Sequence, residues 1–197
     1  KKLVDNPLFK VPNTDQLMKF NRGNMRAILL NAGNASNLTK MAKGYGLTSE
    51  QVMGWLHQHA TKEDWDWAQK MGDVFKELKG EADTMYRNLS GVAPESLAIK
   101  PVDTPHGQYP GWYYPVMYHP EFEGPSRKLM GKDALEQEGF VRATTGNGYT
   151  QKRTGYAGPM ALDLDMLPAR MNQMIHDVAM RPSVINASKI FYDKDVR

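Results

Sequence analysis

The side chains best suited to chemistry lie late in the chain, where Tyr149, Lys152, Arg153 and Tyr156 interleave aromatics with cations on a Gly/Thr-rich stretch. That composition suits single-stranded nucleic acid or phosphates, because rings stack on bases while the cations neutralise backbone charge. A solvated hairpin with ordinary surface charge accounts for the same residues. The histidines offer less. His57 and His59 are two apart, so on a helix they diverge and cannot form the i, i+4 pair of a helical zinc site. His176 and Asp177 are adjacent and diverge likewise. Glu63, Asp64 and Asp66 flank Trp65 and Trp67, but acidic residues in a first helical turn simply complement the dipole. Gly44-Tyr45-Gly46 and Gly146-Asn147-Gly148 lack the Lys-Ser/Thr of a phosphate loop, and no Gly-x-Ser-x-Gly elbow occurs. The residues assign no catalytic group, no metal site and no cofactor.

The elements that would carry these side chains are mostly helical. Thr48-Ser49-Glu50-Gln51 has capping-box spacing and opens a helix through Val52, Trp55 and Leu56 to about His59. Thr61-Lys62-Glu63-Asp64 repeats the spacing and opens the longest helix, to about Leu89. On it Ala68, Met71, Phe75, Leu78, Ala82 and Met85 step alternately by three and four, a heptad seam. Three heptads span about 30 Å, and this seam is the expected face for self-association. Leu38 to Trp55 also fits a helix-turn-helix, with Ala42 at the tight packing position and Gly46 in the turn. Its second helix carries Glu50 and no Lys or Arg, so packing without DNA is the preferred reading. Residues 38–59 and the 149–156 tongue together form the nucleic-acid-binding alternative, with DNA as the candidate partner.

Elsewhere the signals are punctuation. Residues 1–13 read as an arm. A helix is expected after Thr14, with Asp15 in its first turn, running through Leu17, Met18, Met25 and Ile28 and bent at Asn21-Arg22-Gly23-Asn24. Asn147-Gly148 between β-formers predicts a hairpin over 140–156. Asp163 or Asp165 should cap a helix through Met171, Met174 and Val178 that ends at Arg181-Pro182, and Ser183 a last one.

Gln108 to Pro120 stands apart, with five aromatics set among three prolines. Each proline removes a donor and forces its predecessor into extended backbone, so the stretch cannot be helix. It reads as a strap whose aromatics bury against the heptad helix, with Trp112, Tyr114 and Tyr118 on one side and Tyr113 on the other.

The chain of 197 residues has 41% hydrophobic and 24% charged residues and a formal net charge of +3, ordinary for a folded protein. Cysteine is absent, which excludes disulfides, thiolate nucleophiles and Cys-zinc sites. No apolar run approaches a membrane span, and Lys1-Lys2-Leu3-Val4-Asp5 shows no apolar signal region. The expected fold is mainly α: helical hairpins, one long heptad-patterned helix, an extended Pro/aromatic strap and a small β-hairpin. The expected organisation is an arm over 1–13, a helical unit over 14–91, the strap over 92–125 and a second helical unit over 126–197. Because the chain opens on Lys1 and closes on Val196-Arg197, it is read as a piece of something longer.

Several motifs in order carry a resemblance: Asp64-Trp65-Asp66-Trp67, Gly91-Val92-Ala93-Pro94, Pro101-Val102-Asp103-Thr104-Pro105, Gly111 to Tyr118, and Ile175-His176-Asp177-Val178-Ala179-Met180-Arg181-Pro182. Over most of Asn21 to Arg197 the chain resembles a region of the large polyvalent proteins of bacteriophages. More loosely it is similar to the internal virion (DNA-ejection) proteins of short-tailed phages. The resemblance implies a non-enzymatic protein packaged in the virion and delivered into the bacterial host cell with the genome. There it would assemble with other virion proteins or with copies of itself. No catalytic residue carries over, because the shared motifs are structural.

Overall fold

The computed structural model of the chain describes residues 3–91, 99–116, 118 and 158–192. In order these form β1 (Leu3–Val4), β2 (Phe20–Asn21), α1 (Arg22–Ala32), α2 (Ala35–Gly44), α3 (Ser49–His59), α4 (Lys62–Ser90), β3 (Val102–Thr104), β4 (Gly107–Tyr109) and α5 (Met166–Tyr192). The fold is mainly α, with β1–β2 and β3–β4 as two separate antiparallel pairs.

The N-terminal stretch differs most from expectation. No helix opens after Thr14; residues 9–18 fold back on themselves because Asn6, 7% exposed, organises them. Its Oδ1 accepts the Phe9 N–H at 2.8 Å, and its Nδ2 donates to the carbonyls of Phe9 at 2.9 Å and Met18 at 2.8 Å. Asn13 takes the left-handed backbone (φ 64°) at the turn, a conformation Asn tolerates. The fold-back delivers Phe9, fully buried, against Phe20, Tyr45 and Trp55 at centroid distances of 5.2, 5.5 and 5.9 Å. Burying that ring contributes roughly 2–3 kcal/mol.

Helix α1 then begins at Arg22. Asn21 is its N-cap: the Asn21 side chain accepts the Gly23 N–H at 2.7 Å, and Asn24 Oδ1 accepts the Asn21 N–H at 2.9 Å. The Asn-rich tetrad is therefore a capping box rather than a bend. Asn34 caps α2, and Thr48 with Gln51 caps α3 as the spacing predicts. Gly46, at φ 68°, makes the α2–α3 turn of a helix-turn-helix. The Asp64 carboxylate reaches back to the Thr61 N–H at 3.2 Å at the start of α4. Gly91, at φ 72°, ends α4, its N–H donating to Arg87 C=O.

The heptad seam faces inward. Ala68, Phe75, Ala82 and Met85 are buried and Met71 and Leu78 half-buried. Helix α4 packs on α1 and on α5, and its middle on the strap. The expectation that this seam mediates self-association is thus corrected: one chain satisfies it by itself.

A hairpin also forms where none was expected. Residues 140–156 lie outside the described residues, while 102–109, expected as plain extended chain, pairs as a hairpin with Val102 opposite Tyr109 and Thr104 opposite Gly107. Gly107 supplies the φ of 112° that the turn requires. A single cluster runs from Phe9 through α1–α4 to Trp112, Tyr114, Tyr118, Met160, Leu162 and Met174. Finally, α5 continues through Pro182, where two helices were expected; proline costs one hydrogen bond and packing on α4 holds the helix together across it.

Candidate functional site

The strap is built into a slot made by two glycines. A Cβ on Gly33 would lie 1.9 Å from the Trp112 ring, and one on Gly72 would lie 2.1 Å from Trp112 Cβ. Trp112 Nε1 donates to Leu30 C=O at 2.8 Å, and its backbone N–H donates to Gly33 C=O at 3.0 Å. Both carbonyls belong to the end of α1, where helical partners run out. Asn37 Nδ2 donates to Tyr114 C=O at 2.8 Å, and Gln69 Nε2 to Gly111 C=O at 3.4 Å. Tyr114 meets Phe75 edge-on at 5.3 Å, while the Lys79 ammonium sits 5.9 Å from the Tyr113 ring. Trp112, Tyr113, Tyr114 and Tyr118 are all buried, so neither side of the strap is left open. These aromatics are core, with no open stacking face.

Two buried carboxylates tie helices together. Asp64 Oδ1 accepts Arg22 Nε at 2.8 Å and Arg26 Nε at 2.9 Å, joining α1 to the start of α4. Burial alone would raise its pKa; the two guanidiniums and Thr61 outweigh that and hold the carboxyl below the usual carboxylate range. Arg26 also stacks 4.8 Å above Trp67. On α5, Asp177 is fully buried, pairs with Arg181 at 3.3 Å and faces the Tyr86 hydroxyl at 3.4 Å. Both face Tyr86 on α4, where the Arg181 guanidinium lies 5.0 Å from the ring.

Beside this pair runs an apolar groove of about 540 Å³ between α4 and α5, lined by Gly80, Glu81, Met85, Asn88, Val178 and Pro182. Pro182 has no N–H, so the helical bond it would donate to Val178 C=O is missing at the groove wall. Ile175, one turn before Val178, is 49% exposed. A second, more polar cavity of about 480 Å³ lies between residues 10–14, the end of α2 and Gly158-Pro159. Its Tyr45 hydroxyl already donates to Met160 C=O at 2.5 Å, and burial raises the phenol pKa.

The tongue residues Tyr149, Lys152, Arg153 and Tyr156 lie outside the described residues. Among the described residues, the histidines do not converge with acids: no group of three or more His, Asp or Glu could hold a metal ion. His59 Nδ1 meets Trp55 C=O at 2.8 Å, His106 meets Ala60 C=O at 3.3 Å, and the His57 ring lies 6.2 Å from Trp65. On the helix-turn-helix, α3 presents Glu50, Gln51 and Gln58 outward and no cation. The groove escaped sequence reasoning. Its signal was available in the proline that continues a helix and the isoleucine beyond the packed stripe. Comparison with protein-family models, curated proteins and solved structures finds no match to this chain. No helix among the described residues is long and apolar enough to cross a membrane.

Proposed function

We propose that the chain is a non-enzymatic structural and interaction module of a bacteriophage virion protein of the internal or ejection type. It rides in the virion, enters the bacterial host cell with the genome, and assembles there with other virion proteins or copies of itself. The observation that carries the interaction half of this reading is the α4–α5 groove. Apolar side chains line it and Ile175 stands exposed beside it. Elsewhere the aromatics, the heptad seam and the buried carboxylates hold the chain to itself. An apolar surface left over after the core is complete is what a docking face requires. The phage half rests on the ordered motifs from Asp64 to Pro182. Mass spectrometry of purified full particles and of particles emptied by ejection tests it. The chain should be present in the first and depleted in the second; its absence from full particles would sink the proposal.

A further inference from the structure

We infer that the α4–α5 groove takes a basic amphipathic helix of a partner protein, its apolar side on Met85, Val178 and Pro182 and its cations toward Glu77 and Glu81. The inference rests on the interaction-module reading and names the chemistry of the partner. Charge decides it. Most carboxylates of α4 have a partner within the chain. Glu63 and Asp64 meet Arg22, Asp66 meets Lys62, Asp73 meets Gln69, and Asp83 meets Lys79. Glu77 and Glu81 are the exceptions among the described residues, one turn apart, both exposed, with Glu81 in the groove wall. The opposite wall, Val178 and Pro182, carries no charge to neutralise them. An apolar trough with an unbalanced acidic rim favours cations on its occupant. Because the chain as a whole is +3, attraction for such a helix must be local.

The shape argues for a helix. The trough lies between two helices, where a third can pack ridges into grooves. The α4 lining from Gly80 to Asn88 corresponds to about 12 Å, which a helix of about 14 residues spans with most of a turn to spare at each end.

The test uses the full chain and two fluorescein-labelled 14-residue probes, a Leu/Lys amphipathic peptide and its Leu/Glu twin, read by anisotropy at low salt. The Leu/Lys peptide should bind at least about tenfold tighter, and Glu77→Lys with Glu81→Lys should remove about tenfold. Ile175→Asp should weaken it as well, while Asp103→Lys on the distant β3–β4 hairpin should not; circular dichroism confirms that each variant is folded. Equal binding of the two peptides, or indifference to the Glu77/Glu81 reversal, overturns the inference. Light scattering that shows self-association, abolished by Ile175→Asp, with neither peptide bound would place a second copy in the groove. That outcome overturns the basic-helix inference and leaves the interaction reading standing. If no peptide binds and the chain stays monomeric, the inference also fails. Maleimide labelling of Ile175→Cys then shows whether the chain itself covers the site (slow) or the groove is simply empty (fast).

Discussion

The two ends of α4 handle apolar surface in opposite ways. Its first half is roofed by α1 and by the strap, which brings Trp112 and Tyr114 over Gly72 and Phe75 and leaves no ring exposed. Its second half is flanked by α5 on one side and open on the other, with Ile175 and Met180 of α5 both more than a third exposed. The same heptad stripe is buried through both halves. What distinguishes them is that the strap closes over the first, while an apolar groove remains between α4 and α5 beside the second. An aromatic stretch is thus no guide to a binding face by itself; here the aromatic end is closed and the aliphatic end is available.

The largest effects should come from breaking the closed end. Trp112→Ala should cost about 4 kcal/mol in denaturant unfolding, through the cavity it leaves. Gly33→Ala, which drives a methyl into the indole ring, should cost about 3 kcal/mol. Combined, the two should cost little more than Trp112→Ala alone, since the ring that Gly33 avoids is then gone. Gly72→Ala should behave differently, because its clash is with Trp112 Cβ, which alanine keeps. Additivity of Gly33→Ala and Trp112→Ala would show that the slot is not as described.

A smaller effect is expected at the junction of α1 and α4. Asp64→Asn should cost about 2 kcal/mol near neutral pH, discounted because Arg22 is half exposed. The Asp64 pKa is lowered in the folded state, so its contribution is complete above the unfolded value of about 4 and is lost as pH falls through the folded one. The wild type should therefore lose stability on acidification below about pH 4 more steeply than Asp64→Asn. Parallel acid limbs would remove Asp64 from the account. The smallest effect belongs to the open end: Ile175→Asp should shift stability by less than about 0.5 kcal/mol. A large destabilisation there would mean that Ile175 is core and the contrast between the two ends is false.

Local chemistry was legible in the residues, and contacts across the chain were not. Thr48/Gln51 and Thr61/Asp64 announced their helices because a cap acts within three residues, and the seam from Ala68 to Met85 announced a buried face because helical period is local. Asn21 and Asn24 misled: an Asn-Arg-Gly-Asn run suits a bend or a cap equally, and the strand pairing of Phe20 with Val4 selects the cap. Phe9 gave no periodic signal, since it is delivered by Asn6 bonding to a residue twelve positions away. Pro182 reads as a stop in isolation, and packing against α4 overrides it.

By itself, then, the sequence determined a mainly helical, cysteine-free chain, the start of its long helix, and a strap that could not be helical. Only the tertiary structure decided that the strap's aromatics are buried, that the heptad seam is satisfied within one chain, and that an apolar groove with Glu81 in its wall remains. The reason is physical. Propensity and period act over a few residues, whereas which surface stays uncovered depends on contacts such as Trp112 with Leu30, 82 positions apart.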